Sequence, residues 1–242
     1  MKEKFKAHLS SQASRLRSEG NVVEYIFWWI ARIMMIFAVF YTKSRVEPVM
    51  HLAISLNTLA TFAVPLASFL FPQKLLFGRL SFHTQTYICY FVIMGSFFCY
   101  CVNAYEFLPD YDKLQHFFAG LLGTFFGMEI LKSMFPKTKI DERVAFLCGT
   151  GFSFALIVIW EIFEFLADFF IPGSTNQGYN YQPSYDMIFF KIFGKGAENP
   201  EQYHLFDTMF DMFFAFVGII VSVFVFLVIR KIRQKKCASV ES

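Results

Sequence analysis

Two glutamates, Glu161 and Glu164, interrupt a long apolar stretch that begins near Val144 and ends near Ile171. A stretch of this length predicts a membrane-spanning helix, which needs about 20 apolar residues. A carboxylate inside such a helix costs about 2.5–3.5 kcal/mol on insertion, so a pair of them requires partners. Because the two glutamates are three residues apart, their side chains lie on one face of the helix. We therefore expect a polar site inside the membrane.

Two further pairs of polar residues open apolar segments, and the partners of each pair are four positions apart: Asp112 with His116, and Asp207 with Asp211. This spacing also places both members of a pair on one helix face. Helical bundles build metal sites from carboxylates and imidazoles that project inward from facing helices. Besides the histidines, Arg32 and Lys113 are the basic residues at a comparable depth. The acids must therefore share protons, pair with these cations or bind a metal ion.

The joint pattern predicts a divalent-metal site with ligands drawn from six residues: Asp112, His116, Glu161, Glu164, Asp207 and Asp211. His51, at the outer end of another apolar segment, is an additional candidate ligand. Zinc or manganese is favoured because a histidine is central, and magnesium or iron also suits ligands rich in oxygen. If the site is catalytic, Glu164 and His116 are the candidate catalytic residues, and the ion keeps an open position for water.

Each residue also has a purely structural interpretation. Asp112 and Asp207 suit the positive end of a helix dipole, where a carboxylate is favourable. Arg32 and Glu161 both lie near the middle of the membrane and can form a structural ion pair. An alternative interpretation is a cluster of carboxylates that share protons and bind no metal ion. The convergence of acids and histidines at one depth, rather than any single residue, favours a functional site.

The composition excludes an ordinary soluble domain. The chain is 56% hydrophobic and 20% aromatic, and only 17% of its residues are charged, whereas soluble domains average about 25% charged residues. Its five cysteines form no CxxC pair, so no zinc-ribbon spacing is present. The HExxH, GxSxG and P-loop signatures are absent. Nucleic-acid binding has no support beyond ordinary basic tails.

The hydropathy pattern predicts an all-α fold, a bundle of six transmembrane helices at about residues 24–42, 48–71, 82–102, 112–135, 144–171 and 205–230. Together they form one transmembrane domain, residues 21–231. The basic N-terminal tail, 1–20, is either a short amphipathic helix on the membrane surface or disordered, and residues 232–242 form a second tail. The loop 172–204 is long enough to be functional or partly structured, and its middle is expected to lie at the membrane interface.

Basic residues orient this bundle. With six spans, 16 of the 22 lysines and arginines fall on the side that holds both tails, and five fall on the other side. The positive-inside rule then makes both termini cytoplasmic and the protein multi-pass in the cell membrane. In this orientation the predicted metal ligands all lie in the outer half of the membrane.

Three segments carry a family resemblance: Asp112-Lys113-Leu114-Gln115-His116-Phe117, Glu161-Ile162-Phe163-Glu164-Phe165 and Asp207-Thr208-Met209-Phe210-Asp211-Met212. Their order and spacing resemble the YjdF-type integral membrane family of bacteria and, more remotely, VanZ-like proteins. The YjdF-type family implies no particular activity. The VanZ-like resemblance implies an association with the cell envelope and with tolerance of glycopeptide antibiotics.

Three functions follow from these observations. The first is a metal-dependent hydrolase or transferase that acts on a lipid or lipid-linked envelope substrate at the outer leaflet. The second is a proton- or ion-coupled transporter, since acids inside a membrane also mark ion pathways. The third is a non-catalytic protein of envelope stress or antibiotic tolerance, in which the cluster only holds helices together. The lipid bilayer is the expected partner in all three, and the oligomeric state is left open.

Overall fold

The computed structural model describes residues 2–108, 110–171 and 203–240, and every regular element within these ranges is a helix. In chain order the elements are α1 (Lys2–Glu19), α2 (Val22–Thr42), α3 (Pro48–Ala60), α4 (Ala63–Leu70), α5 (Leu76–Arg79), α6 (Thr84–Val92), a π-helix (Ile93–Phe98), α7 (Ala104–Phe107), α8 (Tyr111–Met134), α9 (Glu142–Phe170) and α10 (Tyr203–Val240). The predicted loop 172–204, with its interfacial segment, lies almost wholly outside the described residues.

Four helices are long and apolar enough to cross a membrane: α2, α8, α9 and the part of α10 from Leu205 to Lys235. Helices α3 and α4 meet at a bend of 52° and count as a fifth crossing if they act as one span. The expected all-helical, multi-pass architecture is therefore confirmed. The number of six crossings and the orientation of the termini stay predictions.

The segment predicted to span at 82–102 accounts for the difference in count. Its first helix, α6, has nine residues, and a π-helix of six residues follows it directly. The two pieces form one uninterrupted helical stretch over residues 84–100, which is slightly shorter than a regular crossing of about 20 residues. A π-helix of this kind interrupts the α-helical hydrogen-bond ladder and is often found at functional positions.

The first of two compact units comprises Met1–Ala104 and Met128–Asp141. Helix α1 is held in it through side chains that donate to backbone carbonyls. Gln12 Nε2 and Arg15 Nη1 both donate to Gly78 O, at 3.0 and 3.1 Å, and Arg15 Nη2 donates to Leu80 O at 2.5 Å. Residues Lys2–Glu19 are therefore helical rather than disordered, and the placement of this helix on the membrane surface stays a prediction.

Helix α2 begins with a capping box, in which the Asn21 side chain accepts from Glu24 N and the Glu24 side chain accepts from Asn21 N. Its buried face follows the helical repeat of three and four residues and consists of Trp28, Ala31, Arg32, Met35, Ala38 and Thr42. This face packs in the core of the first unit, where Trp28 Nε1 donates to Thr86 Oγ1 at 2.8 Å.

Arg32, in the middle of α2, is stabilised by neutral groups of the first unit. Its Nη2 donates to Thr61 O at 3.0 Å and to Gln85 Oε1 at 2.8 Å, and its guanidinium lies over the Phe62 ring. Thr61 follows the last residue of α3, where a helix leaves carbonyls unpaired and favours a cation. The expected ion pair of Arg32 with Glu161, a residue of the second unit, stays a prediction.

The second unit comprises Tyr105–Gly127 and Glu142–Ser242 and is built from α8, α9 and α10. Aromatic contacts define the helix directions. Phe146 on α9 stacks on Phe226 of α10, and Phe154, two turns later, packs against Phe216. Helices α9 and α10 are therefore antiparallel. Phe125 near the end of α8 packs against Phe146 near the start of α9, and His116 near the start of α8 lies beside Glu161. Helices α8 and α9 are therefore also antiparallel, so α8 and α10 run in the same direction, as the predicted topology requires.

Close approach of α8 and α10 depends on two glycines. A Cβ atom on Gly120 would collide with the carbonyl oxygen of Ala215, and one on Gly218 would collide with the carbonyl oxygen of Phe117. Small residues allow helix backbones to approach in this way inside a membrane. Ser153 Oγ on α9 donates to Gly120 O at 3.1 Å and joins the third helix to the same crossing.

The crossing yields a first prediction. Gly218→Ala should destabilise the protein by about 1–3 kcal/mol, because the added methyl group meets backbone rather than a flexible side chain. Gly151→Ala is the matched control, since a Cβ there has nothing within 4 Å and should instead gain about 0.5–1 kcal/mol of helix propensity. Thermal unfolding of the detergent-purified variants measures both changes. Equal melting temperatures for the two variants would contradict the close approach of α8 and α10 at Gly218.

Candidate metal centre

The three helices of the second unit bring seven ionisable side chains to one end of that unit. Helix α8 contributes residues from its first two turns, α10 contributes residues from its first turns, and α9 contributes residues from its C-terminal half. Because α9 runs opposite to the other two helices, these positions coincide in depth. The side chains are Asp112, Lys113, His116, Glu161, Glu164, Asp207 and Asp211.

Lys113 is the cation of this cluster. Its Nζ atom donates to Asp112 Oδ2 at 3.1 Å, to Asp207 Oδ1 at 2.5 Å and to Asp211 Oδ1 at 2.7 Å. The Lys113 side chain is only 4% exposed. An ammonium group has three N–H donors, so these three carboxylates use all of them.

His116 lies between two groups of carboxylates. Its Nε2 atom is 3.7 Å from both Asp112 Oδ1 and Asp211 Oδ1, and its Nδ1 atom is 3.6 Å from Glu161 Oε1. These separations are too long for hydrogen bonds. Two ligand atoms on a tetrahedral ion, each about 2.0–2.2 Å from it, lie roughly 3.4 Å apart. The spacing around His116 is thus close to that of two donors that share an ion.

The described residues contain two sets of three donors whose atoms all lie within 4.8 Å of one another. One set is His116, Glu161 and Glu164. The other is Asp112, His116 and Asp211. Acidic and histidine groups of the second unit are therefore close enough to hold a metal ion, and His116 belongs to both sets.

Glu161 is the least satisfied member of the cluster. It is 6% exposed, and neither of its carboxylate oxygens accepts a hydrogen bond of normal geometry from the described residues, although the Thr208 hydroxyl is a nearby donor. Asp211 Oδ2 is buried and unpartnered in the same way. Leaving a buried acceptor unsatisfied costs about 1–3 kcal/mol, and more for a charged group. A proton or a metal ion on Glu161 would remove this cost.

Glu164 lies at the exposed edge of the cluster. Trp160 Nε1, one turn earlier on α9, donates to Glu164 Oε1 at 2.7 Å. Trp160 is 50% exposed and Glu164 is half-buried. The carboxylate of Glu164 is therefore more accessible than those of Glu161 and Asp211, which lie behind it.

The structure brings together all six residues that the sequence singled out as ligands. His51 belongs instead to the first unit, where its Nδ1 atom lies 3.3 Å from Thr42 Oγ1. Sequence reasoning left two residues outside the site. Lys113 was named as a possible cation for the acids but not as a site residue, although its place beside Asp112 was a usable signal. Trp160 carried no signal, because tryptophans are common on lipid-facing surfaces.

Residues 24–232 match the family described as "Predicted membrane protein (DUF2238)". This range covers most of the chain and includes every residue of the cluster, so the chain belongs to this family. The comparisons with curated proteins and with solved structures gave no match.

Lys113 yields a second prediction. Lys113→Ala should destabilise the metal-free protein by about 3–5 kcal/mol, because it leaves three carboxylates without their cation in a buried setting. Lys132→Ala is the matched control on the same helix: Lys132 pairs with Glu129, its side chain is 52% exposed, and such pairs contribute at most about 1 kcal/mol. Thermal unfolding in chelator gives both values. If Lys113→Ala lowers the stability no more than Lys132→Ala does, Lys113 does not compensate the charge of the three carboxylates.

Proposed function

We propose that this membrane protein binds one divalent metal ion through His116, Glu161 and Glu164 and acts as a metal-dependent hydrolase or transferase on a lipid or lipid-linked substrate. The observation that carries the proposal is Glu161, whose two oxygens are buried and accept no hydrogen bond of normal geometry from the described residues, beside an imidazole nitrogen at 3.6 Å. A divalent cation supplies the charge and the bonds that this carboxylate lacks.

The ligand chemistry of His116 favours a metal ion held with Glu161 over a metal ion held with Asp211. A neutral imidazole offers one nitrogen as a ligand, and its other nitrogen carries a proton. On the Asp211 side, Lys113 already donates to the oxygen that lies nearest His116 Nε2. With Nδ1 as the ligand, Nε2–H points toward Asp112 and Asp211. Carboxylates in that position are the usual second partners of metal-bound histidines.

One histidine and two carboxylates suit zinc or manganese best, and they also tolerate magnesium or iron. Three protein ligands leave an open position, and a metal ion there polarises a substrate oxygen or activates water. Of the three ligands, Glu164 is the most exposed, so it is best placed to exchange a proton with a substrate. His116 and Glu161 are buried and hold the geometry.

The position of Glu164 favours a substrate that approaches from the bilayer. Its hydrogen-bond partner Trp160 is half exposed, and the neighbouring Phe163 is 56% exposed. These aromatic side chains lie on the surface that α9 presents to lipid. A lipid head group or a lipid-linked envelope precursor can therefore reach Glu164 without crossing the bundle.

The proposed setting is the cell membrane, with six crossings and both termini in the cytoplasm. The uneven distribution of lysine and arginine supports this orientation. The parallel direction of α8 and α10 is consistent with it. The metal centre then lies in the outer half of the membrane, where envelope substrates are found.

Metal content tests the binding half of the proposal. The detergent-purified protein should contain one equivalent of zinc, manganese or iron, and Glu161→Gln should lose most of it, because an amide is a far weaker ligand than a carboxylate. His83→Ala is the control, since His83 pairs with Glu24 in the first unit and should leave the content unchanged. Elemental mass spectrometry gives the stoichiometry. A folded wild type that takes up no metal under saturating conditions would refute the proposal.

Lipid turnover tests the catalytic half. Metal-loaded protein in vesicles made from total bacterial lipid extract should consume at least one lipid species. Glu164→Gln should slow this turnover at least tenfold without loss of fold, because the amide is a weaker metal ligand and cannot exchange a proton as the half-buried carboxylate can. Lipid mass spectrometry follows the reaction. Identical lipid profiles with the wild type and with Glu164→Gln would show that the bound metal has no such activity.

A further inference from the structure

We infer that Lys113 holds the second cation position of the cluster and thereby restricts the centre to a single metal ion. This inference rests on the proposed function and adds to it: the cluster is a two-cation site in which one cation is a side chain of the protein.

The second cation position is defined by the carboxylates that accept hydrogen bonds from Lys113 Nζ. Three carboxylates from two helices surround this atom at 2.5–3.1 Å: Asp112, Asp207 and Asp211. Oxygen-rich surroundings of this kind are those that Mn²⁺ and Mg²⁺ prefer. A buried, unpartnered oxygen, Asp211 Oδ2, lies in the same group and offers a further ligand atom. The ammonium group therefore stands where an oxygen-coordinated ion would fit.

The hydrogen bonds of Lys113 separate this role from a catalytic one. All three N–H donors of the ammonium group are engaged by carboxylates, and the side chain is 4% exposed. No donor remains for a substrate. Lys113 thus contributes charge and fixes carboxylate positions, and it does not contact reacting atoms.

The arrangement around His116 shows why a second ion would be tolerated sterically. Asp112, His116 and Asp211 already present donor atoms within 4.8 Å of one another, in addition to the set of His116, Glu161 and Glu164. The two sets lie on opposite edges of the imidazole. Because Nε2 carries the proton when Nδ1 is the ligand, a second ion would be held by the carboxylates Asp112 and Asp211 without a bond to His116. Two-metal hydrolases likewise hold two cations in one ligand-rich site. In this protein the ammonium group of Lys113 takes the place of one of those ions.

The test counts Mn²⁺ ions in the whole protein. The wild type and Lys113→Ala are both purified in detergent and equilibrated with excess Mn²⁺. The wild type should then bind one ion per chain, and Lys113→Ala should bind two. Elemental mass spectrometry gives the count. Electron paramagnetic resonance should show an isolated ion in the wild type and a spin-coupled pair in the variant. Lys132→Ala should keep a single ion and controls for the loss of a lysine on the same helix.

A second variant keeps the test valid if Lys113→Ala does not fold. Lys113→Ala with Asp207→Asn has one fewer unpaired carboxylate and keeps Asp112 and Asp211, so it should still take up the second ion. Adding Asp211→Asn should return the count to one. A folded Lys113→Ala that keeps a single ion, or a wild type that already binds two, overturns the inference and leaves the proposed function in place. A wild type that binds none overturns the proposed function itself.

Discussion

Charge compensation inside an apolar bundle is the constraint on which this structure depends. A carboxylate or a guanidinium in the membrane interior is expensive unless the protein supplies a partner. The two units of the chain meet this requirement in different ways. In the first unit, Arg32 is stabilised by a backbone carbonyl, a neutral amide and an aromatic ring. In the second, carboxylates from three helices converge around one ammonium group and one imidazole.

The cluster in the second unit contains more carboxylates than Lys113 can offset. Lys113 engages three carboxylates, which leaves Glu161 and Glu164 beside His116. Glu161 is buried and accepts no hydrogen bond of normal geometry from the described residues, so a structural interpretation in which the cluster only joins helices leaves this residue unexplained. An additional positive charge, from a metal ion or from protons, is needed to complete the cluster. The spacing of the donors around His116 favours a metal ion.

Much of this arrangement was predictable from the sequence. Apolar segment lengths predicted the helical membrane architecture, and the spacing of the Asp, Glu and His pairs predicted which side chains share a face. The alternating direction of successive spans predicted that α8 and α10 present their first turns to the C-terminal half of α9. What the sequence could not predict was side-chain partnership: Lys113 could equally have faced solvent at the end of a helix, and no pattern indicated that Arg32 donates to Thr61 O and Gln85 Oε1. The π-helix after α6 also had no sequence signal, because its apolar composition is that of a regular span.

The most direct test of the proposed metal centre is spectroscopy of its histidine ligand. In the Mn²⁺-loaded protein labelled with ¹⁵N-histidine, electron spin echo envelope modulation should show coupling of the ion to one imidazole nitrogen. The same signal should be absent from the His116→Ala protein. Mn²⁺ that shows only water and carboxylate coupling in the folded wild type would mean that the ion does not bind at His116, and the account of the centre would be wrong.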